Sequence, residues 1–331
     1  MSSFRIFIDK NSSVPVYRQI IIQVEDAIGS GLLAPGSGLP SVNHLIKSLN
    51  ISRDTAFKAY EHLKARGVIE SIQSKGYFVR EGKIRVLLFL DLYSPFKEGL
   101  YNAMRRELPQ NFSIDLYFHH YNPEVFRDVL ENGKGRYQYF VIMSFEDERI
   151  TKILEKMDKD RVLILDMCYG APEHLPRICQ DFGDAFYRCL FTARKKLDKY
   201  SEVLYVLKPE THHPEESAIA FINFCSDHGI NGKVLDKIRE EDIKKNRAYI
   251  VVSDDDLVSI VDKSHRKRYE LGKDIGIISY NDTAVKKIIA GGITVISTDF
   301  SEMGKKVANF LLSPRFTGIS IPTEFIERNS L

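Results

Sequence analysis

Residues 40–79 read PSVNHLIKSLNISRDTAFKAYEHLKARGVIESIQSKGYFV, and this stretch decides the fold of the chain's first quarter. Ser41 stands at an N-cap position, with Leu45 and Leu49 on one face of the helix that follows. After a three-residue break, Ser52 caps a second helix along which Ala56, Tyr60 and Leu63 face inward until Gly67 stops it. VIESI and YFVRE flank Gln73-Ser74-Lys75-Gly76, the pattern of a short hairpin. Upstream, PVYRQIIIQVEDAIGSG opens on Pro15, suited to a first helical turn, and repeats Val16, Ile20, Val24 and Ile28 at spacing four before Gly29 and Gly31. Three helices and a hairpin in that order predict a winged helix-turn-helix.

Such a unit can place the second helix of its pair in the major groove of DNA, which is wide enough to admit one helix. Base reading needs polar side chains near that helix's N-terminus, where Arg53, Asp54 and Thr55 stand. Arg53 is the candidate for a bidentate contact with guanine. Asp54 either accepts from a cytosine amino group or steadies the helix N-terminus by its charge, and the second reading is preferred. Ser41, Ser52 and the helix-end amides would hold phosphates, with Asn43, His44 and Lys58 beside them; Lys75 and Gly76 at the wing tip would approach the minor groove or its phosphates. The bland alternative makes Arg53, Lys58 and Lys64 a solvated helix face. Cap, turn, helix and wing in the right order favour DNA binding. Charge leans the same way: residues 1–83 hold 11 Lys and Arg against 7 Asp and Glu, whereas the remainder holds 36 against 38.

Beyond Glu81-Gly82-Lys83 the pattern changes. IRVLLFLD, FSIDLYF, YQYFVIMSF, RVLILDM, SEVLYVL, RAYIVVSD, DIGIISY and ITVIST are short apolar runs. Amphipathic segments such as FKEGLYNAMRREL, ERITKILEKM, AIAFINFCSDHG and FSEMGKKVANFLL separate most of them. Strands buried on both faces read as continuous apolar runs, so the alternation predicts an α/β body of parallel, doubly wound sheets. About 248 of the 331 residues follow it, too many for one five-stranded sheet, so two lobes are expected. No apolar run is longer than Val86–Leu90, far short of the roughly 20 residues a membrane helix needs, and the N-terminus shows no signal-peptide pattern. Cys168, Cys179, Cys189 and Cys225, without CxxC spacing, predict reduced thiols in a soluble cytoplasmic protein and no metal site.

PVYRQI, AIGSGLLAPGSGLPS, SRDTAFKAYEHLKARGVIES and the closing Gly76-Tyr77-Phe78-Val79 resemble the GntR family of bacterial transcriptional regulators across residues 14–80. Members often carry arginine where this chain has Asn43 and Phe57, and threonine at Asp54, so the resemblance implies a different operator. Residues 84–331 resemble the sugar-sensing domain of the LacI family, the periplasmic-binding-protein type I fold, above all in AYIVVSDDDLVSIVDKSHRKRYELGKDIGIISYND, TVISTDFSEMGKKVANFLL and IPTEFIERNS. A head of the first kind on a body of the second resembles the arabinose-repressor-like regulators. The expected domains are a head at 1–80, a linker at 81–84 and an effector domain at 85–331. Within the last, lobe 1 covers about 85–180 and 300–314, and lobe 2 about 181–298 and 318–331.

In open α/β sheets ligands sit at the C-terminal strand ends, and two lobes would offer such ends to one cleft. Those ends supply Tyr93, Ser94 and Phe96, then Asp254 and Asp255, then Asn281 and Asp282. Carboxylates and amides can hold vicinal hydroxyls, while Phe96 or Tyr93 can face the C–H side of a sugar ring. The segment Pro209–Glu215 falls where related sensors place a sugar-binding arginine; either His213 or Glu215 replaces it, or the segment is an exposed loop. Asp181 either faces the cleft or caps the helix beginning near Phe182. No GxSxG, HExxH, GxGxxG or Walker A spacing occurs, so neither an enzyme nor a cofactor is expected. The sequence therefore predicts a homodimeric repressor that binds operator DNA and is released by a monosaccharide such as a pentose or deoxyhexose. Hinge crossovers would lie near 179–181, 297–300 and 313–317. The rival reading makes the body a dimerisation scaffold or a degenerate enzyme domain.

Overall fold

A computed structural model describes residues 4–29, 31–133, 135–314 and 318–331; the crossover expected at 313–317 lies partly outside them. The head is built from α1 (Val16–Gly29), α2 (Val42–Leu49), α3 (Arg53–Ala65) and a hairpin of β1 (Ile69–Ile72) and β2 (Gly76–Val79). The hairpin is antiparallel, with Ile69 opposite Val79 and Ile72 opposite Gly76. Its core gathers Ile20, Val24 and Ile28 of α1, Leu45 of α2, and Ala56, Tyr60 and Leu63 of α3. These are the positions whose spacing predicted the helices. Tyr60, buried among them, donates its hydroxyl to the Pro40 carbonyl at 2.7 Å. That bond satisfies the polar end of a large apolar ring.

The first lobe holds β3 (Ile84–Leu90), α4 (Pro95–Glu107), β4 (Phe112–Phe118), α5 (Pro123–Gly133), β5 (Tyr139–Met143), α6 (Glu148–Leu154), β6 (Val162–Asp166) and β7 (Arg177–Cys179). The second holds α7 (Asp184–Leu197), β8 (Glu202–Val206), α8 (Glu216–His228), β9 (Gly232–Leu235), β10 (Arg247–Val251), α9 (Asp254–Arg266), β11 (Ile275–Tyr280) and β12 (Thr294–Thr298). Then follow α10 (Phe300–Leu312), β13 (Gly318–Ser320) and β14 (Thr323–Ile326). One six-stranded sheet runs β13-β7-β6-β5-β3-β4, the other β14-β12-β11-β10-β8-β9. The pairs β3–β4, β3–β5, β5–β6, β8–β9, β8–β10, β10–β11 and β11–β12 are parallel, as the apolar runs require. The second sheet ends on an antiparallel strand, β14 against β12.

By packing, the chain forms two units: residues 1–93, 101–178 and 304–319, and residues 94–100, 179–303 and 320–331. The head thus shares its unit with the first sheet. All eight expected strands are present. The short strands β7, β9, β13 and β14 had no apolar run to announce them, because each is only partly buried. One expectation is corrected. Cys189 and Cys225 are free and buried, but Cys168 and Cys179 are disulfide-bonded, not reduced thiols. Cys168 lies two residues past β6 and Cys179 ends β7, the neighbouring strand, a proximity that spacing along the chain does not reveal.

Candidate functional site

Two surfaces carry the residues singled out above. On the head, Ser52 Oγ accepts from the Thr55 amide at 3.1 Å and lies 2.8 Å from the Thr55 hydroxyl, so both side chains serve the start of α3. Ser41 does the same for α2, accepting from the His44 amide at 3.1 Å. With the caps made locally, Asn43, His44, Arg53 and Asp54 project as exposed side chains, and Phe57 beside them is 42% exposed. Among the described residues Arg53 and Asp54 make no ion pair. Lys58 is different: its ammonium sits 4.2 Å from the centroid of the Tyr17 ring on α1. At the wing, Lys75 is exposed and Gly76 has φ +108° with open space beside it, a conformation only glycine adopts readily.

In the second unit, β11 delivers Asn281 and Asp282 just past its end, and α9 begins with Asp254 and Asp255. A buried lysine absent from the sequence-based set organises them. Lys286 donates to the Tyr280 carbonyl at 2.8 Å and the Asn281 carbonyl at 2.9 Å, and pairs with Asp254 at 2.8 Å. Burial lowers its pKa, partly offset by Asp254. Asn281 is held at φ +60°, in the left-handed region. Asp282 is spent as well: both its oxygens accept from Arg328 at 2.8 Å, and its amide donates to Ser297 Oγ at 2.9 Å. Asp256, buried, pairs with Lys208 at 2.8 Å. Asp255 is exposed, its amide donating to the Ser253 cap.

His213 packs against Tyr280 and Phe182, with ring centroids 4.5 and 5.2 Å away. Burial pushes its pKa down to about 3, so the imidazole is neutral at ordinary pH. The polar atoms His213 Nε2, Asn281 Oδ1, Ser279 Oγ and Ser94 Oγ are buried without a hydrogen-bond partner among the described residues. Phe96 packs against Phe300 with ring centroids 4.6 Å apart, while Tyr93, 66% exposed, belongs to the other unit. Glu215 precedes α8 and is exposed, making no side-chain cap bond. Asp181 caps α7, accepting from the Gly183 amide at 3.0 Å and the Ala185 amide at 3.1 Å. Lys286, Arg328 and Lys208 escaped the sequence reading because each acts on a carboxylate or carbonyl brought near only by folding.

Residues 16–79 match the family model for bacterial regulatory proteins of the gntR family, and residues 198–331 match the periplasmic binding protein-like domain. The HTH-type transcriptional repressor YtrA of Bacillus subtilis is 32% identical over 113 residues, 34% of this chain and 79% of that protein. The mannosyl-D-glycerate transport/metabolism system repressor MngR of Escherichia coli is 35% identical over 75 residues, 23% of this chain and 31% of its own length. In shape, the chain is similar to a LacI family transcriptional regulator from Lactobacillus casei with bound sucrose, with TM-score 0.61 and 16% identity over 75% of this chain and 99% of that one. The trehalose repressor from Escherichia coli gives TM-score 0.59 and 13% identity over 74% and 100%. With a winged head that matches the family model in sequence and a two-lobed body of the LacI-like periplasmic-binding-protein fold behind it, this chain belongs to the GntR family and is a DNA-binding transcriptional regulator.

Proposed function

We propose that the chain is a repressor whose hold on operator DNA is relieved by a monosaccharide, a pentose or deoxyhexose, bound at the C-terminal strand ends of the second lobe. The observation that carries this reading is the set of buried, unsatisfied polar atoms beside an aromatic wall: His213 Nε2, Asn281 Oδ1 and Ser279 Oγ next to Phe182 and Tyr280. Each such atom costs about 1–3 kcal/mol while unpaired, a cost a hydroxylated ligand would relieve. Aromatic faces suit the C–H side of a sugar. Asp254 and Asp282, tied to Lys286 and Arg328, act in this proposal as rigid acceptors with lone pairs to spare. Asp181, used as a helix cap, plays a supporting part at most.

On the DNA side, Arg53 reads a base edge from the N-terminus of α3, with Thr55 and Asp54 beside it. Asn43, His44, Lys75 and Gly76 follow the backbone. Two copies on a pseudo-palindromic operator account for the arrangement of one reading helix per chain. The half-exposed Phe191 of α7 and Ile219 and Ile222 of α8 support self-association, since monomers rarely leave such residues together in water. The deciding experiment is a melting-temperature screen against a panel of monosaccharides. A cognate sugar should raise the Tm of the native chain and not that of Asn281→Ala or His213→Ala. A panel that leaves the native Tm unmoved removes the sugar from this reading and leaves the scaffold alternative.

A further inference from the structure

Arg66, the residue that ends α3, turns its guanidinium out of water into the joint between head and first lobe. It pairs with Glu25 of α1 at 2.6 Å, with the two side chains only 5% and 3% exposed. It also donates to the hydroxyl of Tyr139, the buried first residue of β5, at 2.7 Å. Two further contacts flank this one. Arg18 of α1 reaches Asp160, just before β6, at 3.2 Å. Gly67, at φ +66°, lies so close to Gln138 that an added Cβ would come within 2.9 Å of its side chain, and Gln138 Oε1 accepts from the Arg85 amide at 2.7 Å. Glu25, Ile28 and Val68 of the head and Ile84, Phe112, Tyr139 and Leu311 of the lobe close around what little space remains, about 20 Å³.

Stability alone does not explain this choice of residues. A buried ion pair is often no more stabilising than apolar side chains of the same size, and its best-attested use is to specify one arrangement over others. Arginine suits that use, because it stays charged when buried and its Nη2 meets the Glu25 carboxylate and the Tyr139 hydroxyl at once. We propose that Arg66 is a positioning residue that clamps the C-terminal end of α3 to β5. Head and first lobe then move as one body, and the placing of the DNA-reading helix is set by the lobe rather than by residues 80–83. The regulatory meaning of the clamp rests on the operator reading given above; the clamp itself does not. A helix of 13 residues is ~20 Å long, so an anchor at Arg66 fixes where Arg53 points at the other end.

Pulsed electron-spin distance measurements on the full chain test this, with spin labels on non-natural residues at Gln73 of the wing and Glu124 of α5, leaving the native cysteines untouched. The native chain should give one narrow distance distribution, and Arg66→Met a distribution at least twice as wide. Because Arg66→Met removes the ion-pair partner of the buried Glu25, the paired variant Glu25→Leu/Arg66→Met keeps the joint apolar and folded, and it should broaden the distribution too. Tyr139→Phe should broaden it less. A broad distribution in the native chain, or a narrow one in the paired variant, overturns the clamp. In parallel, DNA selected from a random library by the native chain should lose about tenfold in affinity when its half-site spacing is changed by two base pairs, and the paired variant should lose less than threefold. If the native chain selects no DNA, the operator reading fails while the distance measurement still decides the clamp.

Discussion

The head and the second lobe dispose of their polar side chains in opposite ways. On the head, Ser41 and Ser52 satisfy nearby helix amides, which leaves Arg53 and its neighbours extended into water for an outside partner. In the second lobe almost every carboxylate at the strand ends is already committed: Asp282 to Arg328, Asp254 to Lys286, Asp256 to Lys208. A surface that reads a large, fully hydrated polyanion gains from keeping its donors free. A pocket for a small neutral ligand, as proposed for the second lobe, gains from fixing its acceptors beforehand, since ordering them on binding would cost affinity. The two regions should therefore answer differently to the same kind of substitution.

Removing a committed cation should damage the fold, and this is the largest expected effect. Lys286→Met withdraws the donor from two carbonyls and from Asp254. A buried acceptor left unpaired costs about 1–3 kcal/mol, so the second lobe should lose about 3 kcal/mol, read from its transition in urea. Arg53→Ala should change that stability by less than about 0.5 kcal/mol, as surface substitutions do. Equal losses in both variants would erase the contrast.

The contrast also explains what the sequence disclosed. The placement of Arg53 was legible because it depends on neighbours within one helical turn: a cap at Ser52, a helix start and exposure. The eight central strands were legible because burial on both faces demands an unbroken apolar run. Lys286 was not, since nothing local distinguishes a lysine in Ala284-Val285-Lys286-Lys287 from a solvated one; only the fold brings Asp254, 32 positions earlier, to its side. Arg66 was hidden for the same reason. At the end of a helix it reads as an ordinary charge complementing the macrodipole, while its partners Glu25 and Tyr139 lie on another helix and in another lobe. His213 was singled out by position, yet its packing against Phe182 and Tyr280 is something the loop itself does not announce.

Arg53→Ala should act on the other side of the comparison, by about 1–3 kcal/mol of binding to selected DNA, or about 5- to 150-fold in a gel shift. The loss should concentrate at one base position of the site. A uniform loss across sequences would mean that Arg53 holds phosphate and that another residue reads the base.

A smaller effect belongs to His213. An unfolded imidazole titrates near 6.5, and burial brings the folded one to about 3. Between those values the unfolded chain binds more protons. Stability due to this residue is thus complete above about pH 6.5 and is lost as pH falls toward 3. His213→Gln should flatten the acid limb of a Tm-against-pH curve while leaving pH 7–8 little changed. An unaltered acid limb would show that the imidazole is better solvated than its ring contacts imply.

The finest test compares two lysines of the head that look alike in sequence. Lys75 stands free at the wing tip, whereas Lys58 on α3 rests over the Tyr17 ring at 4.2 Å. Each phosphate neutralised contributes about one unit to the slope of log affinity against log salt. Lys75→Ala should lower that slope by about one. Lys58→Ala should lower it by clearly less, because the ring contact holds the ammonium against α1 and leaving it costs about 0.5–1 kcal/mol at an exposed site. Equal slope changes would mean that Lys58 abandons Tyr17 for phosphate. The head would then share the habit proposed for the second lobe, holding a charge in place until its partner arrives.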